Sequence, residues 1–120
     1  MTRKTKPVAS KKGSQRKERP AAELDALIKE ATIDANDESE ATTGFYTMFE
    51  EHLAVPFKTD VLGVEVTVTE VTMTDDERIV SVCERGKASQ RISIIDLPLP
   101  DPPPRGSEWI DAYRRWARGK

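Results

Sequence analysis

Residues 30–57 read EATIDANDESEATTGFYTMFEEHLAVPF, and how this stretch divides decides the fold. Phe45, Met48, Phe49 and Leu53 recur at spacings of three and four with Glu50 and Glu51 opposite, which predicts an amphipathic helix. Pro56 ends it, because proline disfavours helical geometry in the residue before it. Upstream, Leu24, Leu27, Ile28 and Ala31 form another apolar stripe from Ala22 onward, and helical character fades over residues 32–36. Two N-terminal helices thus flank a junction carrying Asp34, Asn36, Asp37, Glu38 and Glu40.

Beyond Pro56 the period switches to two. Leu62, Val64, Val66 and Val68 alternate with Gly63, Glu65, Thr67 and Thr69, as in a half-buried strand. The phase slips before Val71 and Met73, which predicts a bulge or sharp bend. Thr74–Glu77 is a polar turn into a strand over residues 79–83, and Arg85-Gly86-Lys87 is a tight connection. Gln90, Ile92 and Ile94 resume the alternation. Three short antiparallel strands are expected, in a small bent sheet or an SH3-like barrel. The proline-rich run 97–104 must be extended, as a rigid strap or as a ligand for another domain. Ser107 opens a last helix with Trp109, Ile110, Tyr113 and Trp116 on one stripe, expected to be a packing face. Arg114, Arg115 and Arg118 suit its C-terminal dipole. The fold class is therefore α+β, with two N-terminal helices and one C-terminal helix.

The net charge of −2 hides an asymmetry. Residues 1–19 hold eight Lys/Arg against Glu18 alone, whereas residues 20–120 hold eleven Lys/Arg against twenty Asp/Glu. The first segment has almost no large apolar side chain, so a disordered basic tail is expected before a single domain at 20–120. That tail can touch nucleic acid or another polyanion, or simply solubilise the chain. An acidic body repels phosphate backbones and attracts cations. One cysteine, Cys83, allows no intrachain disulfide and no cysteine-based zinc site, and is expected to face the core. No apolar run approaches the ~20 residues of a membrane span, and no apolar stretch follows the basic start as in a secretory signal. A cytoplasmic location is expected.

Two readings compete at the acidic junction. Asp37 can cap the second helix with Glu40 reaching back, as in a capping box. Alternatively, Asp34, Asp37, Glu38 and Glu40 can supply oxygen ligands to a hard cation such as Ca²⁺. An EF-hand is excluded, because counting from Asp34 the sixth position is Ser39 rather than glycine and the twelfth is Phe45 rather than glutamate. Asp75-Asp76-Glu77 forms a second acidic group in a turn. His52 is the only histidine; no nucleophile elbow and no glycine-rich phosphate loop is present, so no enzyme is expected.

The ordered set Asp34-Ala35, Glu40, Gly44, Tyr46, Glu50-Glu51, Leu53, Pro56-Phe57 and Gly63-x-Glu65-Val66, followed by an acidic turn and a tryptophan helix, resembles the bacterial calcium-binding proteins of the cyanobacterial CcbP type. The resemblance spans residues 24–116. It implies a small β-barrel with packed helices that buffers or senses Ca²⁺ through surface carboxylates. Asp34, Glu40, Glu50 and Glu51 are the positions it carries over, while Asp37 and Glu38 rest on local chemistry. The arginines of the last helix depart from the acidic character the resemblance implies there. The expectation is a small non-catalytic Ca²⁺-binding protein. The alternative is a protein or nucleic-acid interaction module with a basic arm.

Overall fold

A computed structural model describes residues 19–119. Helix α1 spans Ala21–Ala31, α2 Glu38–His52 and α3 Ser107–Arg118. Strands β1 (Phe57–Val61), β2 (Val64–Met73), β3 (Ile79–Arg85) and β4 (Ala88–Ser93) lie between α2 and α3. The strands form an antiparallel meander in the order β1-β2-β3-β4, open rather than closed into a barrel. The α+β class and the three helices agree with the sequence reading. The expected disorder of the basic tail concerns residues outside those described, apart from Arg19.

Among the described residues the strands number four rather than three. Residues 57–61 form β1, and Val61 pairs with Val64 across a two-residue turn. Leu62 and Gly63 both have positive φ, at 51° and 79°, as a type I′ hairpin turn requires. Leu62 therefore leaves the expected strand and stands 98% exposed at the hairpin tip. The phase slip is a real bulge: Val68 pairs with Cys83, but the next pair is Glu70 with Val82. The extra residue, Thr69, keeps Val68, Val71 and Met73 on the face packed against the core.

Phe45, Phe49 and Leu53 of α2 meet Val68, Ile79 and Cys83 of the sheet and Trp109, Ile110 and Tyr113 of α3 in one core. Phe45 lies edge-on to Tyr113 at 5.2 Å and 64°, and Phe49 to the same ring at 5.9 Å and 83°. These are the tilted geometries that aromatic quadrupoles favour. The aromatic stripe of α3 is thus a packing face. Cys83 is buried, beside the Ser81 hydroxyl.

The proline-rich run is a strap. It buries Leu97, accepts a hydrogen bond from Thr59 Oγ1 at the Pro98 carbonyl (2.6 Å) and leads into α3. Near its end, Ala54 N–H donates to the Arg105 carbonyl at 2.8 Å. Gly106 follows at φ 90°, and a Cβ there would fall 2.2 Å from the His52 carbonyl oxygen. Glycine at that position lets the end of α2 and the start of α3 meet.

Candidate functional site

The acidic junction folds as a helix start. Thr32, Ile33 and Asp34 turn away from α1, and Asp37 takes extended backbone angles as the N-cap of α2. Its Oδ1 accepts from Glu40 N–H at 2.9 Å. Glu40 Oε1 accepts in turn from Asn36 N–H at 2.8 Å, one residue before the position a capping box uses. Glu38 and Glu40 occupy the first turn, where the helix dipole favours negative charge. Asp34, Asp37, Glu38 and Glu40 are all exposed.

The second acidic group lies against this junction. Ser39, in the first turn of α2, donates its hydroxyl hydrogen to Glu77 Oε2 at 2.8 Å. The β2–β3 turn is closed by hydrogen bonds from Thr74 N–H to the Arg78 carbonyl (2.8 Å) and from Arg78 N–H to Thr74 Oγ1 (3.0 Å). Glu77 sits there at φ 65°. Asp76 is engaged within the turn by the Thr74 hydroxyl and by Arg78 Nε. The Thr74 hydrogen bond, helped by the Arg78 charge, holds the Asp76 carboxyl below the ordinary carboxylate value. Seven carboxylates thus lie on two segments, residues 34–40 and 75–77, that the Ser39–Glu77 hydrogen bond joins.

Glu50 and Glu51 do not join them. They lie about 15 Å farther along α2, at 1.5 Å rise per residue from Glu40. Glu50 adjoins Tyr46, whose phenol is raised by burial and then by the Glu50 charge. Glu51 pairs with His52 at 3.8 Å, and the His52 ring stacks on Trp109 at 5.5 Å and 15°. Among the described residues, no three Asp, Glu, His or Cys side chains converge on a common point as a preformed metal cage would require.

Sequence reasoning did not find the Ser39–Glu77 contact, which spans 38 residues and has no local signature. It also placed Arg114 only as a dipole cation. Arg114 instead reaches back from α3 to the strap, donating from Nε and Nη2 to the Ile94 carbonyl at 3.2 and 3.0 Å and from Nη2 to the Leu97 carbonyl.

Fold and site together define a small α+β domain with three helices, an open sheet and an acidic end. No protein-family profile, curated protein or solved structure matches the chain. No helix among the described residues is long and apolar enough to cross a membrane.

Proposed function

We propose that this chain binds Ca²⁺ without catalysis, at low affinity, through the acidic end where the α1–α2 junction meets the β2–β3 turn. The supporting observation is the Ser39–Glu77 hydrogen bond, which sets the carboxylates of two loops side by side. Ca²⁺ takes about six to eight oxygens at 2.3–2.6 Å in flexible geometry, so a loop-borne carboxylate set suits it better than Mg²⁺. Asp37 and Glu40 each spend an oxygen on a backbone N–H, and Glu77 spends one on Ser39. Their remaining oxygens, with those of Asp34, belong to exposed residues whose side chains reorient within nanoseconds. The cation gathers these groups on arrival rather than entering a finished cage. The CcbP-type resemblance points the same way.

A calorimetric Ca²⁺ titration of the metal-stripped full chain in millimolar Mg²⁺ tests this reading. The informative variant is Asp34→Asn, Glu40→Gln and Glu77→Gln together, which removes three charges and keeps an acceptor oxygen at each position. Saturable heat in the native chain that disappears in the variant is expected. No saturable heat, or equal heat in both, rejects the reading.

A further inference from the structure

β1 is an edge of the sheet, bonded to β2 on one side only. In a hairpin with a two-residue loop the pair flanking the loop is hydrogen-bonded, and bonded and non-bonded pairs alternate beyond it. Counting from Val61 and Val64, Thr59 and Phe57 bond to β2, whereas the N–H and C=O groups of Lys58 and Asp60 point away from it. Among the described residues, no backbone hydrogen bond from another segment reaches Lys58 or Asp60. Such a row of free groups is a template for a further strand. Thr59 is buried on the core face, so Lys58 and Asp60, both exposed, share the opposite face.

Two further features of this strand are unsatisfied within a single chain. Asp60 lies directly opposite Glu65, where like charges repel. Among the described residues, no salt bridge involves Lys58, Asp60 or Glu65. Val55 and Leu62, two large apolar side chains left 42% and 98% exposed, stand at opposite ends of β1. Leu62 also holds a left-handed conformation that is strained for leucine. We propose that two copies of this chain pair antiparallel along their β1 edges, about a two-fold axis at Thr59, to form one continuous sheet. That register sets Lys58 of each copy opposite Asp60 of the other. Each Asp60 thereby gains a cation on the side away from Glu65. The same register brings Leu62 of each copy level with Pro56 and beside Val55 of the other, so the exposed apolar ends cover one another. A two-fold contact of this kind uses both β1 edges and closes at the dimer. β4, the other open edge, carries Arg91 and no carboxylate, so pairing it with itself brings no opposite charges together. The net charge of −2 on the whole chain leaves little long-range repulsion between copies.

The test is sedimentation equilibrium of the full chain in EDTA, from about 10 μM to about 1 mM, because so small an interface is a weak one. The mass should rise from one chain toward two and stop there. Lys58→Glu sets two carboxylates opposite each other across the axis and should weaken association about tenfold, as should Asp60→Lys, which sets two ammonium groups there. Lys58→Glu combined with Asp60→Lys makes the facing charges opposite again and should restore association, which a merely structural effect of either residue would not do. Leu62→Asn suits the left-handed turn, so it should raise the urea midpoint of the dilute chain while weakening association. Circular dichroism checks that each variant is folded. Hydrogen exchange of the native chain should show the Lys58 and Asp60 amides protected at the high concentration and open at the low one. The proposal is overturned if the chain stays monomeric throughout the range, or if the combined exchange of charges fails to restore association. Growth past two chains also overturns it, since it would mark head-to-tail pairing of β1 with β4. So does protection gained at Ser89 and Arg91 in place of Lys58 and Asp60, which would assign the contact to β4. With EDTA present, none of these outcomes depends on Ca²⁺ at the acidic end, so the two proposals fail independently.

Discussion

Gly44, in the middle of α2, faces the carbonyl oxygen of Ala31 at the end of α1 so closely that a Cβ at Gly44 would lie 2.1 Å from it. The last turn of α1 thus rests directly on the backbone of α2. Replacing a helix-interior glycine by alanine ordinarily gains about 1 kcal/mol in helix propensity. Here the obstacle is a backbone oxygen that no rotamer change can move aside. Gly44→Ala should therefore lose stability, by about 1–3 kcal/mol as for other overpacked contacts. A lower urea midpoint with an unchanged slope is the expected result; a higher midpoint would show that α1 shifts without cost.

Asp37 combines a structural and a proposed cation-binding role, and two substitutions separate them. Asp37→Ala removes the acceptor for Glu40 N–H and should cost about 1 kcal/mol, as N-cap losses do. Asn caps nearly as well as Asp, so Asp37→Asn should keep stability close to native while weakening Ca²⁺ binding. Parallel urea unfolding and Ca²⁺ calorimetry check both outcomes. Native Ca²⁺ affinity in Asp37→Asn would confine Asp37 to the cap.

The three helices were legible because each carries an apolar stripe at spacings of three and four, and Asp37 stands where a cap belongs. The bulge was legible too, since Val71 and Met73 break the even-numbered alternation that ends at Val68. β1 was hidden by its composition: Phe57-Lys58-Thr59-Asp60-Val61 buries a threonine, and that threonine is satisfied by a strap carbonyl 39 residues away. Leu62 misled because its hydrophobicity fitted the strand pattern, whereas a left-handed turn residue is ordinarily glycine, asparagine or aspartate. Gly63, followed by a new alternating run, was the available signal. At the candidate site the carboxylates were visible but their grouping was not. The Ser39–Glu77 contact depends on how α2 lies over the β2–β3 hairpin, which no local pattern records.

Stability should fall at alkaline pH through the tyrosines. Burial alone holds the Tyr113 phenol above its ordinary value of 10.0, and burial together with Glu50 raises that of Tyr46. Below pH about 10 the phenols are protonated in both folded and unfolded chains. Above it the unfolded chain ionises first, so the folded state holds more protons and its stability declines as pH rises toward the folded values. Urea midpoints measured about one unit below and one unit above the ordinary tyrosine value should show this decline. Tyr113→Phe keeps the ring between Phe45 and Phe49, removes the phenol and should make the decline shallower. An equally steep decline in Tyr113→Phe would place the effect elsewhere.

Neighbouring arginines on α3 should respond differently to lysine. Arg115 pairs with Asp25 in an exposed position, and surface pairs of this kind contribute little, so Arg115→Lys should leave the unfolding midpoint nearly unchanged. Arg114 is half-buried and clamps the Ile94 and Leu97 carbonyls with a planar fork that one ammonium group cannot reproduce. Arg114→Lys should cost about 1.5–3 kcal/mol, the range for hydrogen bonds to a charged group. The loss should be local in origin, at the passage from β4 into the strap. Ile94 N–H, which donates to the Ile79 carbonyl at 3.0 Å, should then exchange with solvent faster than in the native chain, while amides in the β1–β2 ladder keep their protection. Uniform acceleration across all strands would instead mean that Arg114 supports the whole domain rather than the seat of the strap.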